Sequence, residues 1–435
     1  MRNRHYVWLV LSVFSFSAQA TADDKTWASL VAEGNTAFHE KRLDEAMRLF
    51  DQSLQAAAPA SEEMAVSAHS LATVYQLLGD YNRADVLYGL AVEYWEHAEV
   101  RFVDLAAVTF NNFGDLLIDK HRFSRAREMY AKALALRQST KDGNLSRVAF
   151  AMSKLAYAHY LNGDGALAET LLKEAIEIHR KSTGPESINL APSLDGLAKI
   201  YTYEHRFQEA ELLFQQSLSV VQRAMGERNP TYAISLQNLA MMHRLAGNSE
   251  RAEPLLRKAA AIFEESLGPR HPYLAMIWSE QGIIALEARK YSVATLYLQR
   301  AHELSNETFG PNNLRTVFAK SNLALVYLHS GKLERAKQML LEVLAVQRTS
   351  SDIAPEEMAR TLTNFAELSM MLHETKEAEG YYREAILLWR GLPNRHGRDL
   401  GAALRGYARV LKAGHDPEAR QIEREAKTFL EKSRQ

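Results

Sequence analysis

An all-α solenoid of about ten helix pairs is the fold class this sequence predicts, and three ladders with one spacing predict it. Gly184-Pro185, Gly226, Gly268-Pro269 and Gly310-Pro311 follow one another at intervals of 42 residues. Leu71-Ala72, Leu155-Ala156, Leu197-Ala198, Leu239-Ala240 and Leu323-Ala324 share that register, with Phe113-Gly114, Gln281-Gly282, Phe365-Ala366 and Tyr407-Ala408 filling its gaps. The third ladder is Ala84, Ala126, Ala168, Ala210, Ala252, Ala294, Ala336 and Ala378. A fixed period of this size marks stacked supersecondary units rather than separate globular domains.

Composition adds exclusions. The chain of 435 residues is 47% hydrophobic and 24% charged, with a net charge of −1. No overall field draws it to nucleic acid or to an anionic membrane. Cysteine is absent, which removes disulfides, thiolate nucleophiles, zinc–sulfur sites and lipid attachment at a cleavage-site cysteine.

Taken in order, residues 1–20 stand apart. Arg2 and Arg4 precede the apolar run VWLVLSVFSF, and Ala18 and Ala20 close it at an A-x-A spacing. This pattern predicts a secretory signal peptide cleaved after Ala20. The run is too short for the roughly 20 residues a bilayer needs, so membrane insertion of the mature chain is not expected. Export to the periplasm is the first expectation and full secretion the second.

Residues 21–60 hold a first repeat, with Gly34 and Ala46 at the proper interval of 12. Residues 61–393 hold eight repeats in the 42-residue register, and 394–435 a last repeat with a highly charged final helix, as a solvated cap requires. Within a repeat, Trp278, Gln281, Gly282 and Ala285 fall on one helical face, and Tyr291, Ala294, Leu298 and Ala301 on the face of a second helix. Small residues at the crossing let two backbones approach. Gly79, Gly163, Gly247 and Gly331 mark the turn between helices, where left-handed geometry stops a helix.

Small residues at the eighth, twentieth and often twenty-seventh positions, with aromatics near the seventeenth and twenty-fourth, resemble the tetratricopeptide repeat (TPR). The match is clear in SLQNLAMMHRLAGNSERAEPLLRKAAAIFEESLG and AKSNLALVYLHSGKLERAKQMLLEVLAVQR. The 42-residue unit and its Gly-Pro joint resemble the kinesin light chain subclass. The resemblance implies a right-handed α-α superhelix whose first helices line a concave, partner-binding groove.

Chemistry is harder to find. No nucleophile elbow, zincin motif, Walker loop, dinucleotide fingerprint or acidic calcium loop occurs. The fifteen histidines follow the repeat: His121, His205, His373 and His415 share the turn register, and His159 and His243 a core-facing one. His271, beside Arg270 and before Pro272, falls in register with Ser187, Asn229 and Asn313. These are N-capping types, so His271 reads as a helix cap. Glu62-Glu63 and Glu356-Glu357 open helices, where they suit the dipole. No catalytic residue, cofactor or metal ligand is assigned.

Function is therefore sought on the second face of the first helices. At about 100° per residue, positions 4, 7, 8 and 11 point to the core and 2, 5, 9 and 12 nearly opposite. Position 9 varies freely, from Thr73, Asp115, Tyr157 and Lys199 to Glu367 and Arg409. In repeats six to eight this face is apolar: Ile234, Met276 and Phe318 at position 2, Met241, Ile283 and Leu325 at position 9, Leu286 and Leu328 at position 12. The strip is either a partner-binding floor or extra packing between longer helices.

Asn112, Asn238, Asn322 and Asn364 share position 6. The resemblance implies that such amides meet the backbone of an extended peptide. The lysine–asparagine clamp for a terminal carboxylate is not reproduced, since Val31 stands where lysine is needed beside Asn35. Arg405, Arg409 and Lys412, with Arg360, form a basic end that is either a solvated cap or a contact for an acidic partner. The expectation is a non-catalytic exported scaffold for a protein or peptide partner. The alternatives are a small-molecule receptor or enzyme with an enclosed pocket, and a self-associating structural protein.

Overall fold

The computed structural model describes residues 26–97, 103–139, 144–350, 353–392 and 397–432. The signal-peptide expectation lies outside them. Among the described residues all regular structure is helical, and no helix is long and apolar enough to cross a membrane. The chain divides into two compact units, one through Gly196 and one from Leu197.

The first unit stacks α1 (Trp27–His39) on α2 (Leu43–Ala56), α3 (Glu62–Leu78) on α4 (Tyr81–His97), and α5 (Val103–Asp119) on α6 (Phe123–Ser139). It continues with α7 (Leu145–Leu161) and α8 (Gly165–Thr183), then a short 3-10 turn at Ile188–Leu190. α9 (Ala191–Tyr203) carries the boundary between units.

The second unit pairs α11 (Pro230–Leu245) with α12 (Ser249–Leu267), and α13 (Pro272–Glu287) with α14 (Tyr291–Phe309). α15 (Leu314–His329) and α16 (Leu333–Thr349) follow, then α17 (Pro355–Met371) and α18 (Thr375–Arg390), and α19 (Gly397–Ala413) and α20 (Ala419–Lys432). α10 (Phe207–Met225) precedes α11 and packs on it. The described residues thus hold twenty α-helices in all.

Close approach within each pair explains the ladders. Ala46 and every alanine from Ala84 to Ala378 in that ladder are fully buried. A Cβ placed on Gly34 would lie 2.6 Å from the Phe50 ring, on Gly114 2.5 Å from the Tyr130 ring, and on Gly282 2.5 Å from Leu298. The eighth position of the first helix thus sits directly on the twenty-fourth residue of the repeat, in the second helix.

The turns carry a left-handed residue in every repeat, but not always glycine. Gly79, Gly163, Gly247 and Gly331 alternate with Lys41, His121, His205, Arg289, His373 and His415, whose φ values run from 55 to 63°. The four histidines expected in the turn register thus take the same left-handed conformation as the glycines, as do Lys41 and Arg289. Helix stopping needs the conformation, and a histidine can accept it at a cost; His121 and His205 recover edge contacts to Phe123 and Phe207 at 5.5 and 5.6 Å. Of the histidines read as core-facing, His243 is buried, whereas His159 is half-buried with Nδ1 3.2 Å from Asp164.

The joints between repeats are stricter. Gly184, Gly226, Gly268 and Gly310 have φ of 78 to 90° with ψ of 160 to 168°, a region open essentially to glycine alone. Beyond each, a side chain caps the next helical segment. The backbone N–H groups of Asn189, Thr231, Tyr273 and Arg315 donate to Ser187, Asn229, His271 and Asn313. His271 uses its Nδ1 lone pair for this, which settles it as a cap.

Two substitution pairs test these constraints by chemical denaturation. Gly114→Ala should destabilise by about 1–3 kcal/mol through overpacking on Tyr130. Gly89→Ala, within α4 and with nothing within 4 Å of its Cβ, should stabilise by about 0.5–1 kcal/mol. At the joint, Gly268→Ala should cost about 1–3 kcal/mol although its Cβ meets nothing within 4 Å. Arg289→Gly should stabilise by up to about 1 kcal/mol through relief of the left-handed backbone.

Candidate interaction face of the first helices

In the first unit the second face is closed on α3 and over most of α5, whereas Phe150, Tyr157 and Tyr160 of α7 are half-buried. Val66, His69, Thr73 and Gln76 on α3, and Val108, Asn111, Asn112 and Ile118 on α5, are all buried. Tyr88, from the second helix α4, reaches up between them. Its hydroxyl donates to Gln76 Oε1 at 3.1 Å, lies 3.0 Å from Thr73 Oγ1 and bonds Asn112. Burial pushes the Tyr88 phenol well above its usual pKa. Asn112 was read as a groove-edge amide; it is closed off and committed to the tyrosine beneath it.

Tyr130 repeats the device one repeat on, donating to Asp115 at 2.6 Å. Lys154 of α7 grips both oxygens of the same carboxylate at 2.7 and 2.8 Å. The Lys154 side chain is only 8% exposed, so the pair is an internal tie between neighbouring first helices.

Beneath other first helices leucine or phenylalanine replaces tyrosine: Phe50 and Leu172 in the first unit, and most of the series in the second. Phe214, Leu256, Leu298 and Leu340 occupy the register of Tyr88, and only Tyr382 restores a hydroxyl. Asn322 Nδ2 is accordingly buried with no hydrogen-bond partner; the residue in the position of its tyrosine is Leu298. Asn238 is half-buried and Asn364 buried. Sequence reading treated the twenty-fourth position only as a fold marker and missed its effect on the face above. The alternation of Tyr with Leu and Phe at that position was the available signal.

The apolar strip separates into two groups. Met241 at 2% and Leu328 at 1% exposure belong to the core, which corrects their assignment to a binding floor. Leu286 and Leu325 are half-buried and pack against the core cluster that contains Leu328. Ile234, Met276 and Ile283 are half-buried, and Phe318 is 39% exposed. The two expectations, binding floor and extra packing, therefore apply to different residues of one strip.

Charged groups beside the strip are paired. Arg244 of α11 donates to Glu280 and Glu287 of α13, both at 3.0 Å. Burial opposes its charge, yet the carboxylates raise its pKa. At the far end Arg360 pairs with Glu357 at 3.0 Å and Lys412 with Glu423 of α20 at 2.8 Å. Arg405 and Arg409 are exposed. Among the described residues no group of three or more acidic or histidine side chains could hold a metal ion.

The TPR family model matches residues 63–139, 147–223, 200–265, 231–304 and 294–349. This chain belongs to the tetratricopeptide repeat family. Its paired helices are TPR units, and the face just described is the first-helix face of a TPR array. Among solved structures, a Rap protein complexed with competence and sporulation factor is 16% identical and has a TM-score of 0.56. That match covers 84% of this chain and 98% of the other.

TPR-like repeats assigned to a kinesin light chain of Podosopora anserina are 23% identical with a TM-score of 0.41, over 47% of this chain and 97% of that one. A TPR protein from Parabacteroides merdae is 17% identical with a TM-score of 0.48, over 69% and 98%. No curated protein matches the chain.

Single substitutions distinguish core from face. Met241→Asp should cost at least about 3 kcal/mol by burying a charge in the core, lowering the unfolding midpoint sharply. Ile283→Asp, on the half-exposed part of the strip, should lower it far less.

Proposed function

We propose that this TPR chain is an interaction scaffold that takes a protein or peptide partner along the first-helix face of its second unit. The carrying observation is the accessible apolar set Ile234, Met276, Ile283 and Phe318, in register on three successive first helices. Apolar side chains held on a rigid, helix-presented face suit burial under a ligand, at about 25 cal/mol per Å². The buried face of α3 and α5, by contrast, offers no such accessible apolar set. TPR arrays generally serve as scaffolds, and the Rap protein similar in fold was solved with a bound factor. The reading includes no chemistry of the chain's own and export by residues 1–20, to the periplasm first and the medium second.

The test is in-cell photocrosslinking from Ile283 and Phe318, with Leu212, exposed on second helix α10, as the control position. A discrete adduct from the first two and not from Leu212 is expected, and Met276→Asp should remove it without unfolding the chain. Equal adducts from all three positions, or none from Ile283 and Phe318, would sink the proposal. Mass spectrometry of the exported chain should place its first residue at Thr21.

A further inference from the structure

We propose that the joint between the second and third helix pairs is an acid-sensitive latch: charging the His69 imidazole releases α5 from α3 and α4 and opens the buried face that α3 and α5 share. His69 is 1% exposed on α3. Its ring meets the Tyr88 ring of α4 at 5.8 Å, and its Nδ1 lies 3.1 Å from Thr109 Oγ1 of α5. The Thr109 hydroxyl donates to Leu105 O at 2.9 Å, so its free lone pair accepts from a neutral His69 that carries its proton on Nδ1. The imidazole is thus a buried polar link across the joint, alongside the Tyr88–Asn112 bond.

Nothing charged compensates a second proton there. Glu62 and Glu63 lie two turns earlier on α3, and Glu33 of α1 with Asp44 and Asp51 of α2 is exposed. Glu45 of α2 pairs with Arg42, and Arg48 is exposed. On α4, Asp85 is held by Lys120 and Arg122, Glu96 by Lys132, and Arg83 faces Asp80. On α5, Asp115 is held by Tyr130 and Lys154, and Asp104 by Arg147 and Arg137. A charged imidazole would be an unpaired buried cation, which proteins avoid by neutralising or opening.

Burial alone pushes the His69 pKa down to about 4 in the closed state. Once opened, the ring titrates near its ordinary value of about 6.5. Between these values the open state holds one more proton, so falling pH favours opening about tenfold per unit. Above about 6.5 and below about 4 the dependence vanishes.

Amide hydrogen exchange of the full chain, corrected for intrinsic rates, reads this in α3 and α5. Opening should rise about tenfold per pH unit from 6.5 to 4.5 in the wild type and stay flat in His69→Gln. His179, His243 and His302 are also depressed by burial, but they sit on other helices. Should His69→Gln fail to fold, ring-proton NMR titration of wild-type His69 decides the matter. Titration near 6.5 in the closed chain, a flat wild-type profile, or a slope surviving in His69→Gln overturns the latch.

Discussion

The contact on which the rest depends is the crossing of the two helices in each repeat. There a glycine or alanine of the first helix rests on a large side chain of the second, and the fully buried alanine ladder faces it from the second helix. Only a missing or minimal side chain allows that separation, and the same crossing recurs every repeat. Neighbouring pairs can then stack without each building an independent core. The turns and joints serve this contact by delivering each helix at the required place, through left-handed residues at the stops and side-chain caps at the starts.

The same crossing decides the chemistry of the outward face. A tyrosine at the twenty-fourth position is long enough to pass its hydroxyl between first helices, and Tyr88 and Tyr130 gather Thr73, Gln76, Asn112 and Asp115 around them. A leucine there ends below the face. Above those two tyrosines α3 and α5 spend their polar groups on internal ties, such as Asp115 to Lys154, while α13 and α15, above leucines, leave Met276, Ile283 and Phe318 accessible. An orphaned donor on Asn322 is the residue of this difference. The pairing of Arg244 with Glu280 across α11 and α13 keeps the apolar strip on a fixed footing.

Legibility varied with the range of the interaction. His271 was readable as a cap because capping is settled within two residues, and three companions at the same register showed the type. The left-handed turns were half readable, since glycine advertises the conformation and histidine, lysine and arginine do not. The strip was readable as apolar, but Met241 and Phe318 look alike in the pattern and differ in burial by contacts from neighbouring repeats. Asn112 failed for the same reason, its partner being a tyrosine of the preceding repeat.

What the sequence by itself determined is the repeat, its helix pairing, its caps and the absence of familiar catalytic motifs. Each of these rests on local periodicity and on residue size at a recurring position. Tertiary structure alone decided which side of the array is open and which buried charges are paired. It also decided which of several similar apolar side chains meet water. Burial depends on partners in neighbouring repeats, such as those 24 and 39 residues away in the chain, and a periodic pattern fixes their spacing without fixing what each one covers.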